Sequence, residues 1–200
     1  MDRLILVRHA ESAYGAKNLV NGDPYRYVPL SRRGRRQARE LGRALSDEPI
    51  QLAVTTRFPR TRETADLALG DRPIPRLVLA EFDDVKLGDF EGRPVEELRA
   101  WQRVHGPADP LPGGGESRVD SVRRHLEGYR ILLRRDESVV LAVLHGLPVT
   151  IVRLALRGES VPVTLEEVQA EPATPYVYSA QELTAAVRAL RAWVAQAVSA

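Results

Sequence analysis

The 200-residue sequence contains no cysteine. Disulfide bonds, thiolate metal sites and cysteine nucleophiles are therefore excluded as sources of stability or chemistry. The sequence also has no apolar run near the roughly 18 residues that a membrane span requires, and its N-terminus has no signal-peptide core. From these absences we expect a cytoplasmic protein.

An excess of charge of one sign is also missing. Twenty-nine Lys and Arg residues face 27 Asp and Glu residues, so that the formal net charge is only +2. No strong field attracts nucleic acid or an anionic membrane surface, and we expect neither as a partner. Lysine occurs only at Lys17 and Lys86, and arginine, the better bidentate partner for phosphate, supplies the remaining positive side chains.

The sequence does contain a short apolar run that ends in polar residues. Residues 4–7 are Leu-Ile-Leu-Val, and Arg8, His9 and Glu11 follow. A run that is apolar on both faces is typical of a strand covered on both sides in a parallel sheet. Arg8 and His9 then lie at the carboxyl edge of that sheet, where open parallel sheets bind ligands. Taken alone, they could equally be a strand end that meets solvent.

A second stretch repeats this pattern late in the chain. Residues 139–144 are continuously apolar, and His145 and Gly146 follow at once. If both runs are parallel strands of one sheet, their carboxyl ends lie at the same edge. We therefore expect His9 and His145 to face one crevice.

These two motifs carry a resemblance to a known family. The Arg-His-Ala-Glu motif at residues 8–11, with the His-Gly pair at residues 145–146, resembles the histidine phosphatase superfamily in its phosphoglycerate mutase-like branch. The resemblance extends to about Arg157. It implies an α/β fold of three layers, in which an open, mostly parallel sheet has helices on both faces. We expect residues 1–200 to form a single domain of this type, with a substrate-facing insertion around residues 85–116.

A third motif brings arginines to the start of a helix. Residues 50–56 predict a strand, and the helix that follows has Arg57, Arg60 and Arg62 at its start. Because the first turn of a helix favours anions, arginines there indicate an anionic ligand unless they point into water. Residues 55–65 resemble the family pattern Ser-Ser-Pro-Leu-x-Arg-Ala-x-x-Thr-Ala, which implies that Arg60 binds phosphate. Arg57 stands where the family tends to have proline.

The resemblance also implies an acid in the loop after a third predicted strand, at residues 76–80. The family places its acid four residues before the first glycine of a Gly-x-x-Glu-Gly pattern, which occurs here at residues 88–92. That position is Asp84, where glutamate is commoner in this branch, and Glu81 is the alternative.

The loop expected at residues 13–29 departs from the family pattern. The family usually has an asparagine six residues after the first histidine, where this chain has Gly15. One phosphate donor is therefore missing or supplied by Asn18 or Asn21. The candidate substrate-binding residues are Arg8, Glu11, Asn21, Arg60 and Gly146.

The remaining features predict structure rather than chemistry. Residues 115–117 resemble a Gly-Glu-Ser segment of the family, and Ser117 begins a helix that extends to about Arg135. His125 lies off the apolar stripe of this helix, so we expect it to be exposed. The sequence predicts a helix from residue 180 onwards with an apolar stripe. We expect this stripe to pack internally or to form a homodimer contact. The four histidines form no close pair suited to a metal ion, and we expect no metal and no cofactor.

The resemblance implies phosphoryl transfer through His9, which attacks phosphorus and becomes phosphohistidine. Arg8 and Arg60 would bind the phosphate, and His145 would donate to the transferring oxygens. Asp84 would protonate the leaving group. The favoured function is a phosphomonoesterase of the histidine acid phosphatase type, acting on a small phosphorylated metabolite. The alternatives are a cofactor-dependent phosphoglycerate mutase and a phosphate-ester binding protein that has lost turnover.

Overall fold

The computed structural model describes residues 1–162, 164 and 170–199. Its central sheet consists of the strands β1 (Arg3–Arg8), β2 (Leu52–Thr55), β3 (Arg76–Val78), β4 (Val139–Leu144) and β5 (Pro175–Ser179). Their order is β3-β2-β4-β1-β5. The first four strands pair in parallel, and β5 runs antiparallel to β1 at one edge. The prediction of a mostly parallel sheet is confirmed.

The helices of the described residues lie between and after these strands. They are α1 (Arg32–Ala44), α2 (Pro59–Leu69), α3 (Val95–Gln102), α4 (Arg118–Leu133), α5 (Gly146–Leu156) and α6 (Ala180–Ser199). Serines cap two of them: the hydroxyl groups of Ser31 and Ser117 accept hydrogen bonds from backbone N–H groups in the first turns of α1 and α4. Such caps satisfy donors that a helix start otherwise leaves unpaired.

Alternate side chains of β1 enter two different cores. Ile5 and Val7 pack with α1 and α2, whereas Leu4 and Leu6 pack with α4, α5 and α6. All four side chains are fully buried, as expected for a strand covered on both faces. The sheet is therefore the middle layer of three, which confirms the predicted fold class.

The chain segments that follow β1, β2, β3 and β4 emerge at one edge of the sheet. Arg8 is in register with Leu144, and the backbone N–H of His9 donates to the Leu144 carbonyl at 2.8 Å. At the neighbouring strands, the N–H of Leu79 donates to the Thr55 carbonyl at 2.9 Å. Parallel pairing thus brings residues that are far apart in the sequence to a common edge.

The third strand and His125 differ from the sequence expectations for one shared reason. β3 ends at Val78 rather than residue 80, because a short 3-10 turn, Ala80–Phe82, begins there and packs on α4. His125 was predicted to be exposed, and this prediction is wrong: the residue is fully buried. Its Nδ1 donates to the Glu81 carbonyl at 3.0 Å, and its ring stacks near Phe82, with centroids 6.3 Å apart. The apolar stripe of α4 identifies the helix face that packs on the sheet. It does not identify the side of the helix where His125 contacts the turn Ala80–Phe82.

The C-terminal helix α6 packs internally against α4 and α5. Leu183, Ala186 and Leu190 on its inner face are buried, which accounts for the apolar stripe seen in the sequence. A homodimer contact stays a prediction. Among the helices described, none combines the length and apolar character needed to cross a membrane.

Candidate active site

His9 follows β1 directly and is held in one tautomer. Its Nδ1 lies 2.8 Å from the Ala10 carbonyl, which can only accept, so Nδ1 carries the proton. Its Nε2 accepts a hydrogen bond from Nε of Arg60 at 3.1 Å. Burial, together with the charges of Arg60 and other neighbours, holds the pKa of His9 well below its ordinary value. The ring is therefore neutral, with a lone pair on Nε2.

Arg60 is the centre of the cluster. It lies in the first turn of α2 behind Pro59, a residue suited to the start of a helix, and it is almost completely buried. Besides His9, its guanidinium contacts Asn21 through the side-chain oxygen at 2.5 Å and the carbonyl at 3.1 Å, and it contacts Asp84 at 2.7 Å. The other two arginines of the motif lie outside, since Arg57 pairs with Asp83 and Arg62 is exposed.

Asp84 brings a carboxylate to the same point. Its Oδ2 lies 2.7 Å from Nη2 of Arg60 and 3.2 Å from Nδ1 of His145, while Oδ1 accepts from the Val85 N–H at 3.1 Å. Burial alone would raise the pKa of Asp84, but His145 and Arg60 oppose it and hold this pKa well below its ordinary value. Asp84 is therefore ionised in the unliganded protein.

His145 completes the cluster from behind. Its Nε2 lies 3.0 Å from the Thr56 hydroxyl, so Nδ1 is the nitrogen directed at Asp84 and Arg60. Its ring centroid lies 5.4 Å from that of His9, which places both rings at the same sheet edge as expected. Burial lowers the pKa of His145, although Asp84 acts in the opposite direction. The ring has no exposed surface and does not line the cavity in front of His9.

Arg8 lies beside His9 with unused hydrogen-bonding capacity. One guanidinium nitrogen, Nη1, donates to the Ala170 carbonyl at 3.0 Å. Its Nε is buried and has no hydrogen-bond partner among the described residues. A buried donor without an acceptor is costly, so Arg8 is suited to an anion entering the cavity.

The cavity in front of these groups has a volume of about 360 Å³. The wall near the sheet includes Arg8, His9, Arg60 and Asp84, and Gly146 at the start of α5 contributes to it. Gly15 and Asn18 line the wall as well, in the loop that departs from the family pattern. The opposite wall combines apolar and cationic side chains, namely Val85, Leu87, Val95, Leu98, Arg99 and Arg118.

Two of the remaining candidate residues, Glu11 and Glu81, lie outside the cavity, whereas Asn21 lines it. Glu11 lies outside the cavity, because its carboxylate accepts from the Ser31 hydroxyl at 2.5 Å and lies near Arg33. The structure therefore does not bring Glu11 to the cavity with the other candidates. Asn21 lines the cavity but also orients Arg60. Glu81, the alternative acid, is outside the cluster and contacts α4 through its backbone carbonyl.

Two supporting residues were missed by sequence reasoning. Glu91 accepts from the Asn21 amide at 2.8 Å and from the Gly22 N–H at 2.6 Å, and so holds the loop that orients Arg60. It is the glutamate of the Gly-x-x-Glu-Gly pattern, so the sequence does contain a motif that marks this residue. Thr56 contacts His145. It is the second residue of the motif at residues 55–65, which was used only to assign Arg60.

Comparison with known proteins identifies the class of protein. The profile of the histidine phosphatase superfamily (branch 1) matches residues 4–190. This chain belongs to that superfamily, whose phosphatases and mutases transfer phosphoryl groups through a phosphohistidine.

Individual relatives include both activities. Adenosylcobalamin/alpha-ribazole phosphatase of Salmonella typhimurium is 29% identical over 138 residues, which are 69% of this chain and 65% of that enzyme. The 2,3-bisphosphoglycerate-dependent phosphoglycerate mutase of Methylobacterium radiotolerans is 31% identical over 196 residues, 89% of this chain and 90% of that enzyme. Among solved structures, YhfR of Bacillus stearothermophilus superposes with a TM-score of 0.73 at 25% identity, covering 88% of this chain and 89% of that one. The phosphatase-named relatives support phosphatase activity.

Proposed function

We propose that this protein is a phosphomonoesterase that transfers the phosphoryl group of a small phosphorylated compound to His9 and then to water. The observation that carries the proposal is the neutral ring of His9. Its Nδ1–H donates a hydrogen bond to the Ala10 carbonyl. The lone pair on its Nε2 faces the buried guanidinium of Arg60 at the cavity wall. A nucleophile for phosphorus needs such a lone pair, with cations beside it for the phosphate oxygens.

Binding of the phosphate group replaces contacts that the protein makes with itself. In the unliganded site, one Asp84 oxygen occupies the position in front of Arg60 and His145 that an anionic oxygen would take. A phosphate dianion competes for both donors and also offers an acceptor to Nε of Arg8. Once the carboxylate is displaced, Nδ1 of His145 is available to a transferring oxygen.

Transfer then proceeds in two displacements. In the first, Nε2 of His9 forms a bond to phosphorus while the bond from phosphorus to the ester oxygen breaks, and Asp84 gives its proton to that leaving oxygen. In the second, the Asp84 carboxylate takes a proton from water, the water oxygen bonds to phosphorus, and the bond from phosphorus to nitrogen breaks. Free phosphate results, and Asp84 is protonated again, as it was before the first displacement. Asp84 takes this proton from solvent when the ester binds and returns it to solvent when phosphate leaves.

The charge of the site explains how Asp84 can act as the acid. Its pKa is low in the free protein because Arg60 and His145 face it. When the phosphate binds these cations, they stabilise the Asp84 carboxylate less, and the negative charge of the phosphate repels it. Both effects raise the pKa of Asp84. We propose that turnover is therefore favoured on the acidic side of neutrality, as in the acid type, while His9 stays neutral because its own pKa is low.

The segment over the cavity favours hydrolysis over mutase chemistry. In residues 85–116 the only α-helix is α3, of eight residues, and Val85 and Leu87 are the first side chains of this segment on the cavity wall. Such a short cover leaves the phosphohistidine open to water, whereas a mutase must shield it. We propose that this segment forms the substrate-facing part of a single domain and contacts the leaving group.

The partners follow from the same features. The cations that neutralise phosphate are guanidinium groups, so we propose that no metal ion is needed. The net charge of +2 supports the absence of nucleic-acid and membrane partners. We propose action in the cytoplasm, for which the lack of cysteine is suitable.

The experiment that tests the proposal combines turnover with trapping of the intermediate. We expect His9→Ala to lose at least about 10³-fold in kcat on a phosphate monoester, since removing a nucleophile removes the pathway. Rapid quenching of the wild type with a ³²P-labelled ester should give an acid-labile, base-stable label on the protein. The assay contains a chelator, and turnover should be unchanged by it. His105→Ala is the matched control, because that ring stacks on Trp101 outside the cluster.

Each alternative has its own result in this experiment. Near wild-type activity of His9→Ala would contradict the proposal. A mutase would convert phosphoglycerate faster than it hydrolyses any ester, and only after priming with the bisphosphate. A binding protein without turnover would take no label.

A further inference from the structure

The loop that carries Asp84 is held in place from outside. It follows β3 and consists of the turn Ala80–Phe82 and the irregular residues up to Val85. Within it, regular pairing is limited to the N–H of Asp83, which donates to the Ala80 carbonyl at 3.0 Å, and that of Phe82, which donates to Leu79 at 3.2 Å. Neither bond involves the backbone of Asp84.

Side chains outside the loop supply further contacts: His125 of α4 donates to the Glu81 carbonyl at 3.0 Å, and Arg57 pairs with the Asp83 carboxylate. Arg124 of α4 is the side chain that contacts the backbone of Asp84 itself. Nη1 of Arg124 donates to the carbonyl groups of Glu81 at 3.1 Å and of Asp83 at 2.8 Å. Its Nη2 donates to the carbonyl of Asp84 itself at 3.2 Å. A more distant contact joins Nη1 to the Ala80 carbonyl at 3.5 Å. A single planar guanidinium therefore contacts four carbonyl groups of the loop, which fixes the direction in which the chain presents the Asp84 side chain.

Arg124 is itself oriented by Glu116. Nε and Nη2 donate to the two carboxylate oxygens at 2.9 and 2.7 Å, in the bidentate geometry that fixes the plane of a guanidinium. Glu116 also accepts from the Lys86 N–H at 3.0 Å, so the same carboxylate holds the far end of the loop. Both side chains of the pair are mostly buried, at 22% and 14% exposed. The Gly-Glu-Ser segment noted in the sequence thus has a physical role.

We propose that Arg124, oriented by Glu116, is a positioning residue for the catalytic acid Asp84. It touches neither the cavity nor the reacting atoms, and it acts through the backbone of the loop. The inference rests on the proposed function, in which Asp84 protonates the leaving oxygen. A displacement of about 1 Å in a catalytic group can cost about 10²-fold in rate, so release of this loop should be visible in the acid-dependent step.

The test uses two esters that differ in their need for an acid. An alkyl phosphate has a poor leaving group and needs the proton, whereas 4-nitrophenyl phosphate leaves without it. Asp84 is also the base of the second displacement, which is common to both esters, so the comparison uses kcat/KM, which covers the steps up to loss of the leaving group. We expect Arg124→Gln to lower kcat/KM on the alkyl ester by about 30- to 100-fold and on the nitrophenyl ester by about threefold or less. Arg124→Lys should recover only part of the loss, because an ammonium cannot reproduce the planar fork.

A second comparison shows whether the effect passes through Asp84. In an Asp84→Asn background, which has already lost the acid, adding Arg124→Gln should change kcat/KM on the alkyl ester by less than about twofold. Arg123→Gln is the matched control: it is the neighbouring residue of α4, is exposed and pairs with Asp120 on its own helix. We expect it to behave as the wild type on both esters.

The outcomes separate this inference from the proposed function. Equal losses of Arg124→Gln on both esters, no loss at all, or a full additional loss in the Asp84→Asn background would overturn the positioning role. Glu116→Gln provides a second variant should Arg124→Gln fold poorly, and it should show the same preference between esters. A failure of the proposed function would show instead in His9→Ala, which would then retain turnover whatever Arg124 does.

Discussion

The nucleophile side and the acid side of this site are built in different ways. His9 directly follows β1, and Arg60 lies in the first turn of α2. A hydrogen bond between the two side chains fixes their relative orientation. Asp84 lies in an irregular loop whose backbone is held by Arg124, a residue 40 positions further along the chain. A group of the site is thus held either by the local structure around it or by a distant side chain, and only the first kind leaves a compact sequence motif.

After the loss of His9 itself, the largest effect should come from breaking the nucleophile side at Arg60. Arg60→Gln removes a buried cation that contacts His9, Asn21 and Asp84 together. We expect kcat/KM to fall by about 10²- to 10³-fold, the usual cost of one preorganised charge on a transferring group. Steady-state kinetics on either ester measures it, with Arg62→Gln, an exposed arginine of the same helical turn, as control. A loss of less than tenfold would remove Arg60 from the centre of the site.

The next effect should come from the acid side. Asp84→Asn keeps the shape of the side chain but cannot carry the proton, so kcat/KM, which covers the steps up to loss of the leaving group, should fall by about 10²-fold or more on an alkyl phosphate and by much less on 4-nitrophenyl phosphate. The rise in rate toward acidic pH should disappear in this variant. Glu81→Gln should behave as the wild type. If Glu81→Gln shows the larger loss, the alternative acid is the correct one.

The smallest effect on activity should come from His125, which lies behind the acid loop. Its folded pKa is about 3, whereas the unfolded chain binds the proton near pH 6.5. The unfolded state therefore gains protons first as pH falls, and stability is lost from about pH 6.5 downward, with a slope that approaches about 1.4 kcal/mol per pH unit for one histidine. His9 and His145 act in the same direction.

His125→Gln should make this loss of stability shallower while leaving kcat near its wild-type value. Chemical denaturation at pH 7, 6 and 5 measures the free energy of unfolding for both proteins. An unchanged slope in His125→Gln would mean that the ring is protonated in the folded state.

The limits of sequence reasoning follow the same division. The layers of the fold and the meeting of His9 with His145 follow from apolar strands with polar residues at their carboxyl ends, a pattern visible within a few residues. The choice between Asp84 and Glu81 depended on a family spacing, because both are carboxylates in one loop. The position of Glu11 could not be predicted, because adjacency in a motif says nothing about which way a side chain turns after a strand, and here it turns to Ser31 at the start of α1.

The contacts that hold the Asp84 loop in place could not be predicted from the sequence, for a different reason. Arg124 is one of many arginines. Its hydrogen bonds to the loop go to backbone carbonyl groups, which every residue type has. His125 was misplaced for the same reason, since its partners are the carbonyl of Glu81 and the ring of Phe82. Neither type of partner leaves a periodic signal in α4.

The carboxylate of Asp84 in front of Arg60 and His145 has a consequence for product release. Because it belongs to the chain, it acts as a tethered competitor at constant high local concentration. In the proposed mechanism, an ester would offset the cost of displacing it through contacts along the rest of the cavity, whereas inorganic phosphate would have no such contacts. The return of Asp84 to its cations would therefore favour release of the product and weaken product inhibition.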